Sequence, residues 1–554
     1  MAEIGQLLRE QVRHWISRDP DPETRTELED LLASDSTDEL SRRFAGRLAF
    51  GTAGLRGEMG AGPTRMNRLV VRQSAAGIAR YLIAEERDAR ARGVVIAHDA
   101  RHRSPVFAAD CAEVLAGHGF RVVAADRPLP TPVGVHAIRQ MRAAAGIVVT
   151  ASHNPPHDNG LKLYMGDGAQ IIPPVDAGIA SAIGAVAVDG VVVPPDTPPG
   201  VIDSLPDAVV EDYVRATLAR VPAASEPLSL AVTAMHGVGG ALLVRVLHEA
   251  GFSHVAPVPE QQEPDPDFPT VGFPNPEEPG ATALLARTMT ESGASLGLAL
   301  DPDADRVAAL VGAGGEAVPL TGDEVGALLA EWLLAEVTEG AGRLVVASVV
   351  SSQLLRQIAA HHGAAYAETL TGFKWLCRPA MDDPSARQVL AYEEALGYAI
   401  GLDARDKDGI SAALGLASMA SALAARGQTL LDALDEIHLR HGAHVTENFS
   451  LRDDRPGATA RRDAAVTALH ESPPEEIAGE PVEGVEIVVE GVLGVRLAPG
   501  VRILIRPSGT EPKLKCYCEA VERATRRDAL PEARERARRR LSRVRDALTG
   551  LLVS

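Results

Sequence analysis

Apolar β-rich runs in this chain are followed, again and again, by stretches with helical spacing, and that alternation limits the fold more than any other feature. Val94 to Ala97 reads as a strand, Ser104 to about His118 as a helix, Arg121 to Ala125 as a strand, and Ile147 to Val149 as another. Such alternation builds sheets with helices on their faces, and functional groups then sit in loops at strand ends. Asn67 to Arg90 precedes the series as an amphipathic helix, and Ser104-Pro105 suits an N-cap followed by proline at the first helical position. Between Val186 and Pro206 the chain turns Pro- and Val-rich without helical period, which marks a boundary. A second series then runs from a strand at Leu228 to Thr233 through a helix ending near Ala250. A third begins near Thr321, with a helix from about Asp323 and strands at Leu344 to Ser348 and Val389 to Tyr392. At 554 residues the chain is too long for one core, and ordinary domain sizes predict about three to five domains.

Composition excludes several function classes. With 45% hydrophobic and only 3% aromatic residues, the core is expected to be filled by Ala, Val and Leu. A net charge of -20 disfavours nucleic acid as a partner, since phosphate backbones need a basic face. Four cysteines are few for this length, which argues against a disulfide framework and fits a reducing compartment. Cys516 and Cys518 share Leu514's face of a strand and read as core thiols rather than a metal pair. Met1 to Asp19 reads as a surface helix without a secretory signal, and no apolar run approaches the ~18 residues of a membrane span. The expectation is a soluble, cytoplasmic protein with no nucleic-acid or membrane partner. The basic helix around Arg534 to Arg540 is expected to be a solvated face.

Chemistry concentrates in a few loops. Gly146-Ile147-Val148-Val149-Thr150-Ala151-Ser152-His153-Asn154-Pro155-Pro156 is an apolar run that ends at a hydroxyl, an imidazole and two prolines, so Ser152 is displayed in a loop as a candidate nucleophile. Lys162 follows closely; a lysine there is either a solvated charge or a partner to a phosphoryl group. Phe50 to Glu58 is a glycine-rich loop holding Arg56, whose planar fork suits phosphate. The strand Leu296 to Leu300 runs into Asp301, Asp303 and Asp305, then Arg306. Three carboxylates at alternate positions repel one another and persist best around a cation; oxygen ligands favour a hard ion, Mg²⁺ first. Residues 257–280 form a proline-rich acidic segment too long for a plain connector, expected to pack against something or to move. Glu393-Glu394 after a strand can accept hydrogen bonds from sugar hydroxyls, and Lys374 and Lys407 can hold phosphate, but each residue taken singly reads equally as a plain surface charge. Arg506-Pro507-Ser508-Gly509-Thr510-Glu511-Pro512-Lys513, between two strands, reads as a phosphate-binding loop distinct from a Walker P-loop.

Taken together, TASHNP at 150–155, DPDADR at 301–306, EEALG at 393–397 and RPSGTEP at 506–512, with FGTAGLRG before them, resemble the α-D-phosphohexomutase superfamily in its own order along nearly the whole chain. EEALGY, TGFKW and DKDG look most like the branch of phosphoglucomutase-2 and phosphopentomutase and related bacterial phosphoglucomutases and phosphomannomutases. The resemblance implies a heart-shaped, four-domain architecture, three similar α/β domains plus a C-terminal α+β domain, with four loops lining a central cleft. The boundaries expected here are 1–206 with the phosphoserine loop, 207–321 with the metal loop, 322–443 with the sugar loop and 444–554 with the phosphate loop.

By the same resemblance Ser152 carries a phosphoryl group, and Asp301, Asp303 and Asp305 hold Mg²⁺ against it. Arg56, His153 and Lys162 surround the transferring group, without settling which moves the proton. Glu393 contacts sugar hydroxyls. Arg506, Ser508, Gly509 and Thr510 grip the distal phosphate with Lys407 assisting, and Arg306 and Lys374 complete the substrate-binding set. The implied reaction interconverts sugar 1-phosphate and 6-phosphate, of glucose or mannose, through a bound bisphosphate that also serves as primer, in a monomer or homodimer. Phosphopentomutase, an aspartyl-nucleophile phosphatase suggested by Asp301-x-Asp303, and a silent sugar-phosphate sensor stand as alternatives. Ala395 departs from the Glu-x-Ser of many hexose-specific members, which removes one hydroxyl from the sugar loop.

Overall fold

The computed structural model describes residues 2–51, 54–191, 197–452, 455, 457–507 and 513–553, in two compact units: Met1–Leu320 with Leu396–Ser421, and Thr321–Ala395 with Ala422–Ser554. The first unit opens with helices Ala2–Arg18, Pro22–Ala33 and Thr37–Arg43. Its first sheet has the strand order Leu55–Glu58, Asp158–Met165, Ala145–Val149, Val94–His98, Val122–Ala124, Ile202–Ser204. The last four strands are parallel, while Asp158–Met165 runs antiparallel to Ala145–Val149 and to Leu55–Glu58. Val94–His98 and Ala145–Val149 are buried along their whole length, as expected of parallel strands covered by helices on both faces. The core is built from Val, Ala, Leu and Ile, including Val71, Ile78, Ile96, Leu115 and Ile147.

A second sheet follows in the same unit, ordered Glu316–Pro319, Val307–Ala313, Leu296–Leu300, Ser229–Thr233, His254–Pro257. Its central strand Leu296–Leu300 is fully buried and ends at Asp301, and the antiparallel return Val307–Ala313 holds the loop between them.

The second unit contains parallel strands Arg343–Ser348, Ala365–Thr369 and Arg387–Glu393, the first pairing with both others. It also contains an entirely antiparallel sheet from Ala443–Arg452 to Glu476–Ile477, covered by the long helix Leu530–Val553. Cys516 and Cys518 are buried free thiols beside Leu514 in that core, as expected.

Two local expectations are corrected. Ser104 is the first residue of its helix rather than the cap: Arg103 precedes it with φ 63°, and the Ser104 hydroxyl donates to Asp99 at 2.6 Å. The hydroxyl oxygen, which a cap would offer to a free N–H of the helix start, instead accepts from Asn159 at 3.0 Å while its proton goes to the buried Asp99 carboxylate in a charge-assisted bond. The basic helix near the C-terminus is not simply solvated. Arg540 is buried and donates to Glu480 at 2.9 Å and Glu522 at 2.8 Å, and Arg534 donates to Asp435 at 2.5 Å. Among the described residues no helix is long and apolar enough to cross a membrane.

Backbone packing around the aspartate loop leaves no room for a side chain at Gly237, where a Cβ would meet Pro302 Cα and O at 2.4 Å. Gly237→Ala is expected to push that loop outward and to cost about 2 kcal/mol or more. Urea unfolding of the variant measures this, and an unchanged midpoint would show that the loop yields freely.

Candidate active site

Ser152 stands just past the buried strand Ala145–Val149 and is itself only 1% exposed. Its φ of 52° is left-handed, a conformation that costs a non-glycine residue roughly 1–2 kcal/mol and persists only where the surroundings enforce it. Two groups do so. The Thr150 hydroxyl accepts the Ser152 N–H at 2.8 Å. The buried Arg101 guanidinium donates to the carbonyls of Ser152 and Asn154 at 2.5 Å each, Pro155 at 2.7 Å and Asp158 at 3.3 Å. Asp99 lies 3.5 Å from Arg101 Nε and accepts the Arg101 N–H at 3.0 Å. In the sequence Asp99-Ala100-Arg101 shows only the composition of a polar loop after a strand; the partners of Arg101 are main-chain carbonyls some fifty residues on, which leave no pattern.

The aspartates gather around this serine. Ser152 Oγ donates to Asp301 Oδ2 at 2.8 Å, and the Arg306 N–H reaches Asp301 Oδ1 at 3.0 Å. Lys162 comes from the strand Asp158–Met165, opposite Val148, and its Nζ donates to Asp303 Oδ2 at 2.7 Å and Asp305 Oδ2 at 2.6 Å. All four of these charged side chains are fully buried, so Lys162 is not the solvated surface charge. Thr131, which carried no sequence signal, donates to Asp303 at 2.6 Å. Lys407 Nζ lies 2.8 Å from Asp305 Oδ2. Its loop is set by Tyr164, donating to Asp406 at 2.7 Å, and by Tyr213 and Arg220, donating to Asp408 at 2.8 and 2.9 Å.

These neighbours order the charges. Burial, then Asp305 and Asp303, push the Asp301 carboxyl well up. Burial pushes Asp303 the same way, but Lys162 outweighs it and holds that carboxylate below its ordinary value. Asp305 is likewise held down, burial and Asp303 being outweighed by Lys162 and Lys407. Burial opposes the charge on Lys162, yet Asp303 and Asp305 raise its ammonium above the usual range. His153, whose Nδ1 is 3.3 Å from Ser152 Oγ, is pushed well down by burial, then by Arg306 and Arg56. Arg56 lies on Leu55–Glu58, and its buried Nε makes no hydrogen bond. One carboxylate oxygen from each of Asp301, Asp303 and Asp305 can be chosen so that all lie within 4.8 Å of one another, a spacing that can hold a metal ion.

The first unit thus brings together Ser152, His153, Lys162, Arg56, the three aspartates, Arg306 and Lys407. Glu393, Lys374 and Arg506 belong to the second unit. There the Gly372 N–H donates to Glu393 at 3.1 Å and Arg506 donates to Thr371 at 2.7 Å, so Thr371 and Gly372 link the strand ends carrying the glutamate and the arginine. Lys374 lies on the short helix Phe373–Leu376 that follows them. Ser508, Gly509 and Thr510 lie outside the described residues. Glu394 accepts from the Ser348 and Ser351 hydroxyls at 3.0 and 3.2 Å. Burial, then Glu393 and Asp323, take its carboxyl up to about 8.

Two outcomes are expected from this geometry. Arg101→Met strips the Ser152 loop of its donors and should lower stability by about 3 kcal/mol, measured by chemical unfolding; a loss under about 1 kcal/mol would mean that water replaces the guanidinium. For Glu394 the folded value near 8 lies above the ordinary 4.5, so the native state holds an extra proton and stability falls as pH rises across that window. Glu394→Gln should match the parent near pH 4.5 and be the more stable protein at pH 8 in thermal unfolding, and an unchanged slope would refute the assignment.

Comparison with known proteins agrees with this arrangement along the chain. Profiles described as phosphoglucomutase/phosphomannomutase α/β/α domains I, II and III match residues 47–187, 211–314 and 321–439, and the C-terminal domain of that family matches 464–535. A relative named "Probable phosphomannomutase" from Haemophilus influenzae is 40% identical over 82% of this chain and 93% of its own. The human phosphopentomutase is 33% identical over 92% of this chain and 91% of its own. The crystal structure of a phosphoglucomutase/phosphomannomutase family protein from Burkholderia thailandensis shares the fold, with a TM-score of 0.68 at 22% identity over 90% of this chain and 98% of its own. With all four domains matched in order, three α/β and one C-terminal, the chain belongs to the phosphoglucomutase/phosphomannomutase family of the α-D-phosphohexomutase superfamily and is a phosphosugar mutase.

Proposed function

We propose that this mutase interconverts the 1- and 6-phosphates of glucose, mannose or both, with Ser152 as phosphoryl carrier and Mg²⁺ held by Ser152, Asp301, Asp303 and Asp305. The observation that carries the reading is the Ser152 hydroxyl 2.8 Å from Asp301, inside a buried set of three carboxylates faced by two lysines. The oxygen set fits a hard divalent ion: Asp303 Oδ1 and Asp305 Oδ1 are buried and make no hydrogen bond, although a polar atom so placed needs a partner. Bound there, Mg²⁺ would neutralise charge on the phosphoryl oxygens.

The chain's own groups do the rest. Lys162 and Lys407 add fixed positive charge among buried side chains, and neutralisation and positioning supply most of phosphoryl-transfer catalysis. In the first half-reaction a free sugar hydroxyl bonds to phosphorus as the Oγ–P bond of phospho-Ser152 breaks. The hydroxyl proton passes by way of His153, whose Nδ1 lies 3.3 Å from Oγ, to the departing serine oxygen. The bisphosphate turns end for end, Ser152 Oγ attacks the opposite phosphorus, and the proton returns by the same route to the sugar oxygen that leaves. Glu393 would bind sugar hydroxyls, and Arg306, Lys374, Lys407 and the Arg506 loop would bind phosphate.

A second reading, phosphopentomutase, is favoured by Ala395 and by the human relative of that name. Incubation with phosphorus-labelled glucose 1,6-bisphosphate and Mg²⁺ should place acid-stable label on Ser152, and Ser152→Ala should lose about 10⁴-fold or more in turnover. Label on Asp301, or near-normal Ser152→Ala turnover, would sink the mechanism. Comparing kcat/KM for glucose, mannose and ribose 1-phosphates decides the sugar. If hexose is the weaker substrate, Ala395→Ser should improve it by about fivefold, the worth of one hydrogen bond.

A further inference from the structure

Residues 257–280 serve no part of the mechanism above, yet they touch the Ser152 loop, the arginine that supports it and the arginine that follows the aspartates. Asp267 accepts from His102 at 2.7 Å, beside Arg101. The Phe268 ring lies beneath the Arg101 guanidinium, 5.0 Å from its centroid, within the range of a cation–π contact. Phe273 meets the His153 ring edge-on, with centroids 6.3 Å apart and planes at 69°. Glu277 reaches to 3.6 Å from Arg306, next to the aspartates. Four positions spread over the segment thus face His102, Arg101, His153 and Arg306.

The segment is fastened from behind. Thr233 donates to Gln261 at 2.6 Å, Gln261 donates to Thr270 at 2.9 Å, and His236 pairs with Thr270 at 2.8 Å. Met235, Phe268, Val271 and Ala281 bury a small apolar cluster. Phe268 also has φ 48°, a backbone state that a bulky residue adopts only when the surroundings impose it and that concentrates at functional sites. An aromatic residue held in that state beneath a buried guanidinium is an expensive arrangement for a mere connector.

We propose that residues 257–280 are a brace for the Ser152 loop, with Phe268 and Phe273 as positioning residues that hold Arg101 on the loop carbonyls and the His153 ring beside Ser152 Oγ. Neither phenylalanine touches the reacting atoms. Phe268 fixes the plane of the guanidinium whose donors set the left-handed turn at Ser152, and Phe273 limits rotation of the imidazole. The catalytic consequence rests on the phosphoserine reading; the structural one does not.

The test uses the full-length protein. Phe273→Leu keeps the volume and removes the ring edge, Phe273→Tyr restores it, and Phe268→Leu removes the cation–π partner. Hydrogen–deuterium exchange over residues 150–160 should rise in both leucine variants and return to the parent level in Phe273→Tyr, whatever chemistry Ser152 performs. For the reaction, kcat per phosphorylated Ser152 should fall by about tenfold in Phe273→Leu while KM stays within about twofold, because misplacing a group slows the chemistry more than it weakens binding. Unchanged exchange in both leucine variants would overturn the brace. So would a turnover loss matched by an equal loss of phosphorylated sites, which is the mark of partial unfolding. A parent protein that takes no label on Ser152 would instead count against the phosphoserine mechanism, and the exchange measurement would still judge the brace.

Discussion

The first unit depends on a buried ion cluster. Lys162 projects from one sheet, Asp303 and Asp305 belong to the loop of the next, and the ammonium donates to both carboxylates with all three side chains fully buried. Removing a single member of such a cluster leaves uncompensated charge away from water, at a cost of roughly 3–5 kcal/mol. The lysine therefore does more than hold charge: it locks the strand beside the Ser152 strand to the aspartate loop, and so fixes Ser152 Oγ against Asp301. Lys162 and Lys407 hold Asp303 and Asp305 down, whereas burial and those two aspartates push the Asp301 carboxyl up. A divalent cation among the three would favour an ionised Asp301 and add positive charge facing a phosphoryl dianion.

Around this cluster the backbone departs repeatedly from ordinary conformations. Ser152, Met235, His236, Phe268 and Ala304 all have positive φ without being glycine. Each is held by specific partners: Arg101 and Thr150 at Ser152, the Thr233 hydroxyl accepting the Met235 N–H, Gln261 and Thr270 around His236, the Asp265 carbonyl accepting the Phe268 N–H, and the Asp301 carbonyl accepting the Ala304 N–H. Strain of this kind is kept where neighbouring groups over-determine it. Such rigidity suits phosphoryl transfer, where most of the rate comes from having donors already in place rather than from reorganising them.

How much of this was legible in the sequence follows a physical divide. Strands that run straight into chemistry were readable, because Ile147 to Val149 ending before Ser152 and Leu296 to Leu300 ending at Asp301 show both a hydrophobic period and an abrupt change of residue type. Buried cations were not. Lysine is solvated in most proteins, and nothing local to Lys162 announces that its partners lie some 140 residues onward. Arg101 was missed for a related reason, since main-chain carbonyls accept its hydrogen bonds and carbonyls have no sequence. The Ser104 cap failed because Asp99, five residues back, took the hydroxyl proton, and the solvated basic helix failed in part because Glu480, 60 residues away, drew Arg540 inward.

The division of the chain into two units bears on substrate choice. Groups proposed to handle the phosphoryl group, Ser152, Lys162 and the aspartates, are organised by contacts internal to the first unit. Those proposed to read the sugar and distal phosphate, Glu393 and Arg506, are tied to each other through Thr371 and Gly372 in the second. The sugar loop EEALG at 393–397 is nonetheless tied to the aspartate loop, because the Leu396 carbonyl accepts the Val307 N–H at 3.2 Å and Gly397 bridges Arg306. Groups that share partners do not contribute independently, so a substitution beside those contacts, as at Ala395, bears on the phosphoryl machinery as well as on the sugar.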